Sequence, residues 1–163
     1  MLALTRKTDY ALIALCHLAR QPERVISARQ IARRFSMPLP LLMNVLKTLA
    51  AHEVVRSVRG AKGGYQLARR PEDLTLDELI EVIEGPIRLT HCTAKDYVPE
   101  PEHCSLHEKC PLRSPASRLH NRLKAFLGDV TLAEIAGLDD IDETLEPDTA
   151  HEAPDHEPAR LSG

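Results

Sequence analysis

The feature that most constrains the fold is a pair of short amphipathic segments, joined by a proline-containing break, within residues 27–52. Ser27 and Gln30 have the spacing of a capping box, which predicts a helix over residues 27–35. In the SMP break and just after it, Pro38 and Pro40 fit only the first turn of a second helix, where a missing N–H costs little. That helix is expected to end near residue 52 and to bury Leu42, Val45, Leu46 and Leu49.

The flanking segments extend this pair into a winged helix-turn-helix. Residues 5–20 have apolar side chains at helical spacing, which predicts a helix before the pair. Two strand-like pieces, residues 54–58 and 65–67, enclose three glycines and predict a hairpin with a flexible tip. A fourth helix is predicted over residues 75–85, from a capping-box pair to a Gly-Pro stop. The predicted fold class is mainly α with a small β-hairpin, and residues 1–85 are expected to form a DNA-binding domain.

Charge divides the chain into a basic and an acidic part. Residues 1–73 carry 13 Lys/Arg and 5 Asp/Glu, a balance of +8, whereas residues 74–163 carry 8 and 19, a balance of −11. A basic half favours a polyanion as partner, although an ordinary charged surface has a similar balance. The second helix of a helix-turn-helix lies in the major groove. The residues predicted to contact double-stranded DNA are therefore Pro40, Leu41, Met43, Asn44 and Lys47 on this helix, with Arg56, Arg59 and Lys62 on the hairpin.

These side chains suit different parts of the duplex. Asn44 is suited to an adenine edge and Lys47 to a phosphate or a guanine. Arg59, near the hairpin tip, is the candidate for insertion into the minor groove. Leu41 and Met43 suit thymine methyl groups, but a core or subunit contact would explain them equally well.

Three of the four cysteines fall in residues 86–113, a segment without helical or strand periodicity. No apolar run approaches the ~20 residues of a membrane span, and the first residues are charged, so a cytoplasmic location is expected. In that reducing compartment, clustered thiols are metal ligands or redox groups more often than disulfides. Cys92, Cys104 and Cys110 suit an iron–sulfur cluster or zinc, although the absence of a CxxC pair counts against a zinc ribbon.

The remaining residues predict a helical part and an acidic tail. Residues 114–138 are expected to form a long dimerisation helix and a short terminal helix. The long helix has a narrow apolar seam, which indicates a partner helix, and a second copy of the chain is the simplest partner. Packing on its own domain is the alternative. Residues 139–163 hold nine acidic residues and are predicted to be disordered. The apolar seam of the long helix predicted within residues 114–138 consists of Ala116, Leu119, Leu123, Phe126 and Val130.

Four stretches of the sequence, taken in order, resemble the Rrf2 family of winged-helix repressors. They are LTRKTDYALIALCHLA, SARQIARRFSMPLPLLMNVLKTL, VRGAKGGYQLAR and LDELIEVIEGPIRLTHC. The family includes regulators of the Isc and Suf iron–sulfur assembly systems and members that sense nitric oxide or iron. EGPIRLTHC with CSLHEKCPLR resembles most closely the Suf-type regulators. The resemblance covers about residues 1–138 and agrees with the element order predicted above.

The resemblance implies a homodimeric repressor whose operator binding is controlled by an iron–sulfur cluster, of 2Fe–2S or 4Fe–4S type, and which regulates cluster-assembly genes. It makes Cys92, Cys104 and Cys110 the cluster ligands, with Asp9 of the partner subunit as the fourth. The first gap between cysteines is wider than in the family, and Arg113 stands where some relatives have a histidine. Local alternatives for the fourth ligand are His91, His103 and His107.

The same residues are compatible with two other kinds of regulator. A nitric-oxide- or iron-responsive repressor of the same fold is the first alternative. A DNA-binding regulator without a cluster, stabilised by zinc or switched by a disulfide between Cys104 and Cys110, is the second. The sequence has no nucleophile–base set and no phosphate-binding loop, so an enzyme is not expected, nor is a small-molecule substrate or a membrane partner.

Overall fold

The computed structural model describes residues 4–60, 62–90 and 109–138. Six α-helices and one antiparallel β-hairpin follow one another along these residues, and a 3₁₀ turn at Pro71–Asp73 leads into the fourth helix. The predictions for Cys92, Cys104, His91, His103, His107 and residues 139–163 concern positions outside the described residues. The elements are α1 (Arg6–Ala19), α2 (Ala28–Arg34), α3 (Leu39–Ala51), β1 (Val55–Val58), β2 (Gly64–Leu67), α4 (Leu76–Glu84), α5 (Arg113–Asp129) and α6 (Leu132–Ile135).

The hydrophobic core lies between α1, α2, α3 and the base of the hairpin. The four residues predicted to form the inner face of α3 are all buried, and α1 buries its own apolar stripe against them. A fully buried leucine contributes roughly 1.5–3 kcal/mol. This aliphatic core therefore holds the helix-turn-helix rigid. Its largest members are Leu15, Leu18, Ile31, Leu42, Leu46 and Leu49.

The predicted starts of α2 and α4 are confirmed, with one difference in their hydrogen bonds. Ser27 and Gln30 form both halves of a capping box. The Thr75 hydroxyl accepts a hydrogen bond from the backbone N–H of Glu78 at 3.3 Å. This is one of the two hydrogen bonds of a capping box. The Glu78 carboxylate pairs with the Arg69 guanidinium instead of turning back to Thr75.

The helix α5 is the longest described, with 17 residues, and it ends one residue earlier than the seam pattern predicts. Val130 is extended because its carbonyl accepts a hydrogen bond from the backbone N–H of Leu76 at 2.8 Å. The prediction that Val130 lies in this helix is wrong for that reason. No helix in the described ranges is both long and apolar enough to cross a membrane.

The short helix α6 returns to the core of the DNA-binding part. Leu132 and Ala136 have no exposed surface and belong to the same buried cluster as α1 and α3. The backbone N–H of Leu132 donates to the carbonyl of Leu74 at 2.8 Å. The polypeptide therefore leaves the winged helix after α4 and comes back to it after α5.

Candidate nucleic-acid interface

The turn before α3 sets the angle at which this helix is presented. Phe35 ends α2, and Ser36 adopts a left-handed conformation with φ of +51°. The next residue, Met37, is buried, and its N–H donates to the Ala32 carbonyl at 2.9 Å. A left-handed residue followed by a buried one gives a tight, well-determined break between the two helices.

The outer face of α3 carries the side chains predicted to read DNA. Pro40, Met43, Asn44 and Lys47 are exposed, and Leu41 is half-buried. The exposed fraction of Met43 is 39%. Within the described residues, the side chains of Asn44 and Lys47 make no hydrogen bond or ion pair to another part of the protein. Their donors and acceptors are therefore available to a ligand.

The hairpin presents the other predicted contacts, but its three cations are not equivalent. Arg59 and Lys62 are exposed at the tip. Arg56 is also exposed, but it donates to the Gln66 side chain across the strands at 2.9 Å. Gln66 is buried and in turn donates to the Pro22 carbonyl. Arg56 thus connects the wing to the loop before α2, and Arg59 and Lys62 have the freer charges.

The base of the wing is fixed to the same loop by backbone pairing. Ile26 and Tyr65 exchange two hydrogen bonds, of 3.0 Å and 2.8 Å. Gly64 lies directly against this pair, and a Cβ atom there would overlap the Ile26 carbonyl. A glycine is required because the two backbones approach too closely for any side chain.

The start of α1 is bound to the end of α4, a contact that sequence reasoning missed. Glu84 accepts hydrogen bonds from the hydroxyls of Thr5 and Thr8 and from the backbone N–H of Thr5, the last at 3.3 Å. The Thr5 and Thr8 hydroxyls lower the pKa of the Glu84 carboxyl. Asp9, the predicted fourth cluster ligand, follows Thr8 and is exposed. The bonds of Glu84 therefore fix the helical turn that carries Asp9.

Replacing Glu84 with glutamine is expected to lower stability at neutral pH and to have little effect in acid. Because its folded pKa lies below its ordinary value of about 4.3, the contribution of Glu84 is present above that value and is lost as the pH falls through the folded pKa. The side chain is exposed, so the loss is at most about 1 kcal/mol. Urea unfolding at pH 7 and pH 3 measures it.

Glu53→Gln is the control for that experiment. Glu53 is exposed, and its carboxylate has no partner within the described ranges. Its replacement should leave the free energy of unfolding unchanged at both pH values. An equal loss at pH 7 and pH 3 for the Glu84 variant would contradict the assigned role of its charge.

The described part of the cysteine segment is its C-terminal end. Cys110 is half-buried and lies three residues before α5 begins. The described ranges contain no group of three or more His, Cys, Asp or Glu side chains arranged to hold a metal ion. Cys110 and Asp9 are thus the predicted ligands that lie within the described residues.

The helix α5 is held on α4 by charges and leaves an apolar edge exposed. Lys124 donates to Asp77 at 3.1 Å and also to Glu81, and the hydrogen bond to Glu81 is the main reason that its pKa is raised. On the seam predicted for this helix, Ala116 and Leu123 are half-buried. The exposed edge consists of Leu112, Leu119 and Phe126, which are 68%, 61% and 63% exposed.

Comparisons with known proteins agree with this geometry. Residues 4–137 match the Rrf2 family, described as an iron-dependent transcriptional regulator. The transcriptional regulator NsrR of Shouchella clausii is 30% identical over 125 residues, which cover 76% of this chain and 79% of that protein.

Two solved structures of transcription regulators show the same winged-helix fold. IscR of T. potens has a TM-score of 0.60 and 28% identity, covering 90% of this chain and 93% of that one. CymR, the global cysteine regulator of B. subtilis, has a TM-score of 0.62 and 27% identity, covering 85% of this chain and 98% of that one. The relatives are regulators of transcription and not enzymes.

Proposed function

The chain belongs to the Rrf2 family of transcriptional regulators, and from this premise we propose that it is a dimeric repressor whose operator binding is controlled by an iron–sulfur cluster. The observation that carries the DNA-binding part is the outer face of α3, where Asn44 and Lys47 are exposed without a described partner. The wing adds Arg59 and Lys62, two exposed cations. A helix that can reach base edges beside a basic hairpin that can reach the DNA backbone is an arrangement that supports sequence-specific DNA binding.

In this proposal the contacts divide into two classes. Asn44 reads a base edge, since an asparagine amide pairs bidentately with adenine in the major groove. Met43, Leu41 and Pro40 supply the apolar contacts beside it. Lys47, Arg59 and Lys62 neutralise phosphates or a narrow minor groove, which gives affinity and salt dependence but little sequence preference.

The exposed edge of α5 supports dimerisation. Leu112, Leu119 and Phe126 recur every seven residues, the spacing of one face in a pair of supercoiled helices. Three large apolar side chains that are each more than 60% exposed are costly for a monomer in water. A second copy that covers them would bring two α3 helices onto successive major grooves, about 34–36 Å apart.

Control by a cluster rests on the donor set and on the family resemblance. Cys92, Cys104 and Cys110 supply three thiolates, the ligands that iron–sulfur clusters prefer. When bound, the cluster supplies an oxidant-sensitive cross-link between the cysteine segment and a fourth ligand, for which Asp9 of the partner subunit is proposed. Cys110 lies three residues before α5, and the Glu84 bonds fix the turn with Asp9, so both ligands adjoin elements that position the DNA-binding parts. The regulated genes are proposed to be those of cluster assembly.

Replacing Asn44 with alanine is expected to weaken operator binding by about 1–3 kcal/mol, or roughly five- to 150-fold, with little change on unrelated DNA. The operator is first obtained by enriching genomic fragments on the purified protein. Fluorescence anisotropy on operator and unrelated duplexes at one salt concentration then gives both affinities.

The matched control is Asn121→Ala, the same change at an exposed position of α5. It should leave both affinities unchanged because Asn121 is not among the side chains proposed to contact DNA or the partner subunit. Equal operator binding by the Asn44 variant and the original protein would contradict the assignment of α3 as the reading helix.

A further inference from the structure

Four arginines gather where the end of α1 meets α2, on a surface that the proposed function does not use. Arg20 caps the end of α1, Arg24 lies in the following loop, and Arg33 and Arg34 form the last turn of α2. Arg24, Arg33 and Arg34 line one shallow groove beside His17, and Arg20 and Arg34 line the adjoining one. We call these four residues the α1–α2 arginine surface.

The charges of this surface are not neutralised within the described residues. None of the four guanidinium groups has a carboxylate within ion-pair distance there, and Glu23, in the same loop, makes no ion pair. Arg20 donates to the Ala136 carbonyl at 2.9 Å and Arg24 to the Gln21 side chain at 3.1 Å, both neutral partners. Burial is the main cause that lowers the pKa of His17. The positive charges of Arg34, Arg20 and Arg24 lower it further. The surface therefore concentrates positive charge that an anionic partner would relieve.

The most acidic part of the chain begins beside this surface. The same bond from Arg20 to Ala136 holds the end of α6 there, and the Arg20 guanidinium lies close to Gly137. Residues 139–163 follow directly, with nine carboxylates and one arginine, a net charge of −8. A flexible chain of 25 residues has a root-mean-square reach of about 25–30 Å. That reach spans the adjacent grooves without extension.

We propose that residues 139–163 bind the α1–α2 arginine surface of their own chain and compete with DNA for the helix-turn-helix. A short tether gives an effective concentration in the millimolar range, so even weak charge pairing populates the bound state. Because α2 belongs to the helix-turn-helix, a bound segment of charge −8 opposes the approach of phosphates. If 50–90% of molecules hold the segment, apparent DNA affinity falls about two- to tenfold.

Binding of the acidic segment can be observed without DNA. Amide ¹H–¹⁵N spectra of the full chain are compared with those of a full-length variant whose nine carboxylates are changed to amides. The signals of residues 17–34 should differ between the two at low salt and coincide near 0.5 M salt, where screening is strong. A shuffled segment of identical composition is the matched control and should resemble the original protein. Coinciding signals at low salt would overturn the proposal. The changed residues are Asp139, Asp140, Asp142, Glu143, Glu146, Asp148, Glu152, Asp155 and Glu157.

The consequence for DNA is measured by anisotropy on a random-sequence duplex. The amide variant should bind about two- to tenfold more tightly at low salt, and the shuffled one should not. In Arg33→Gln/Arg34→Gln protein, the amide changes should no longer alter the signals of residues 17–34. If the double variant weakens DNA binding equally with either segment, the surface serves DNA phosphates alone and the proposal is wrong. Because the spectra need no DNA, failure of the proposed function would remain distinguishable.

Discussion

Replacing Gly64 with alanine is expected to detach the wing and to lower the free energy of unfolding by about 2–6 kcal/mol. The new methyl group would overlap the Ile26 carbonyl and lie 2.8 Å from the Ser27 backbone nitrogen, and neither group can move as a side chain does. Relief requires breaking the two Ile26–Tyr65 hydrogen bonds, each contributing about 0.5–1.5 kcal/mol, in addition to an overpacking cost of about 1–3 kcal/mol. Urea unfolding measures the total.

The matched control is Gly128→Ala. Gly128 lies inside α5, and a Cβ atom there meets nothing within 4 Å. Alanine is favoured over glycine in a helix, so this variant should be unchanged or more stable by up to about 1 kcal/mol. If both variants had the same stability, the wing would not be anchored through the close approach of Gly64 to Ile26.

The Gly64 variant should also lose DNA affinity beyond its loss of stability. Measured at a temperature where the variant is still folded, operator binding should weaken because Arg59 and Lys62 are no longer held beside α3. Unchanged binding by a variant shown to be destabilised would mean that the wing does not contact DNA.

Replacing Cys110 with alanine is expected to remove the bound cluster while leaving the fold intact. The proposed function gives Cys110 one of three thiolate ligands, and two thiolates are a poor site for a cluster. Cys110 lies outside the buried core, so its removal should alter unfolding by less than about 1 kcal/mol. Anaerobic purification followed by visible absorption, iron and sulfide analysis measures the cluster. Operator affinity should change to that of protein stripped of iron.

Cys16→Ala is the matched control, since Cys16 is a half-buried thiol within α1 that packs against the core. Burial raises its pKa, which keeps it a neutral thiol and a poor ligand. This variant should retain color, iron and the same operator affinity. Colorless original protein with zinc, or regulation by a Cys104–Cys110 disulfide without iron, would favor the alternative regulators and contradict the cluster.

Predictions that depend on neighboring residues in sequence were the accurate ones. The spacing of Leu42, Val45, Leu46 and Leu49 predicted the inner face of α3, and all four are buried. Ser27 and Gln30 predicted the start of α2 with both bonds of the box. Each of these features is decided within one or two helical turns, so the local sequence contains the whole cause.

Predictions that ignored distant partners were less complete. Arg56 is a cation of the kind that contacts DNA, and its side chain also donates a hydrogen bond to Gln66 on the opposite strand. Val130 continues the apolar spacing of α5, yet it is extended, because its carbonyl accepts a hydrogen bond from the backbone N–H of Leu76. For Val130, a residue far along the chain competes successfully with the local pattern, whereas the DNA contact of Arg56 stays a prediction.

By itself, the sequence determined the order of the helices, the hairpin, the inner and outer faces of α3 and the family. The tertiary structure alone decided that α6 returns to the core, that Glu84 binds Thr5 and Thr8, and that four arginines converge where the acidic segment begins. The physical reason is that periodicity and capping act over a few residues. The contacts between Glu84 and Thr5 or between Arg20 and Ala136 join positions 79 and 116 residues apart, which only folding brings together.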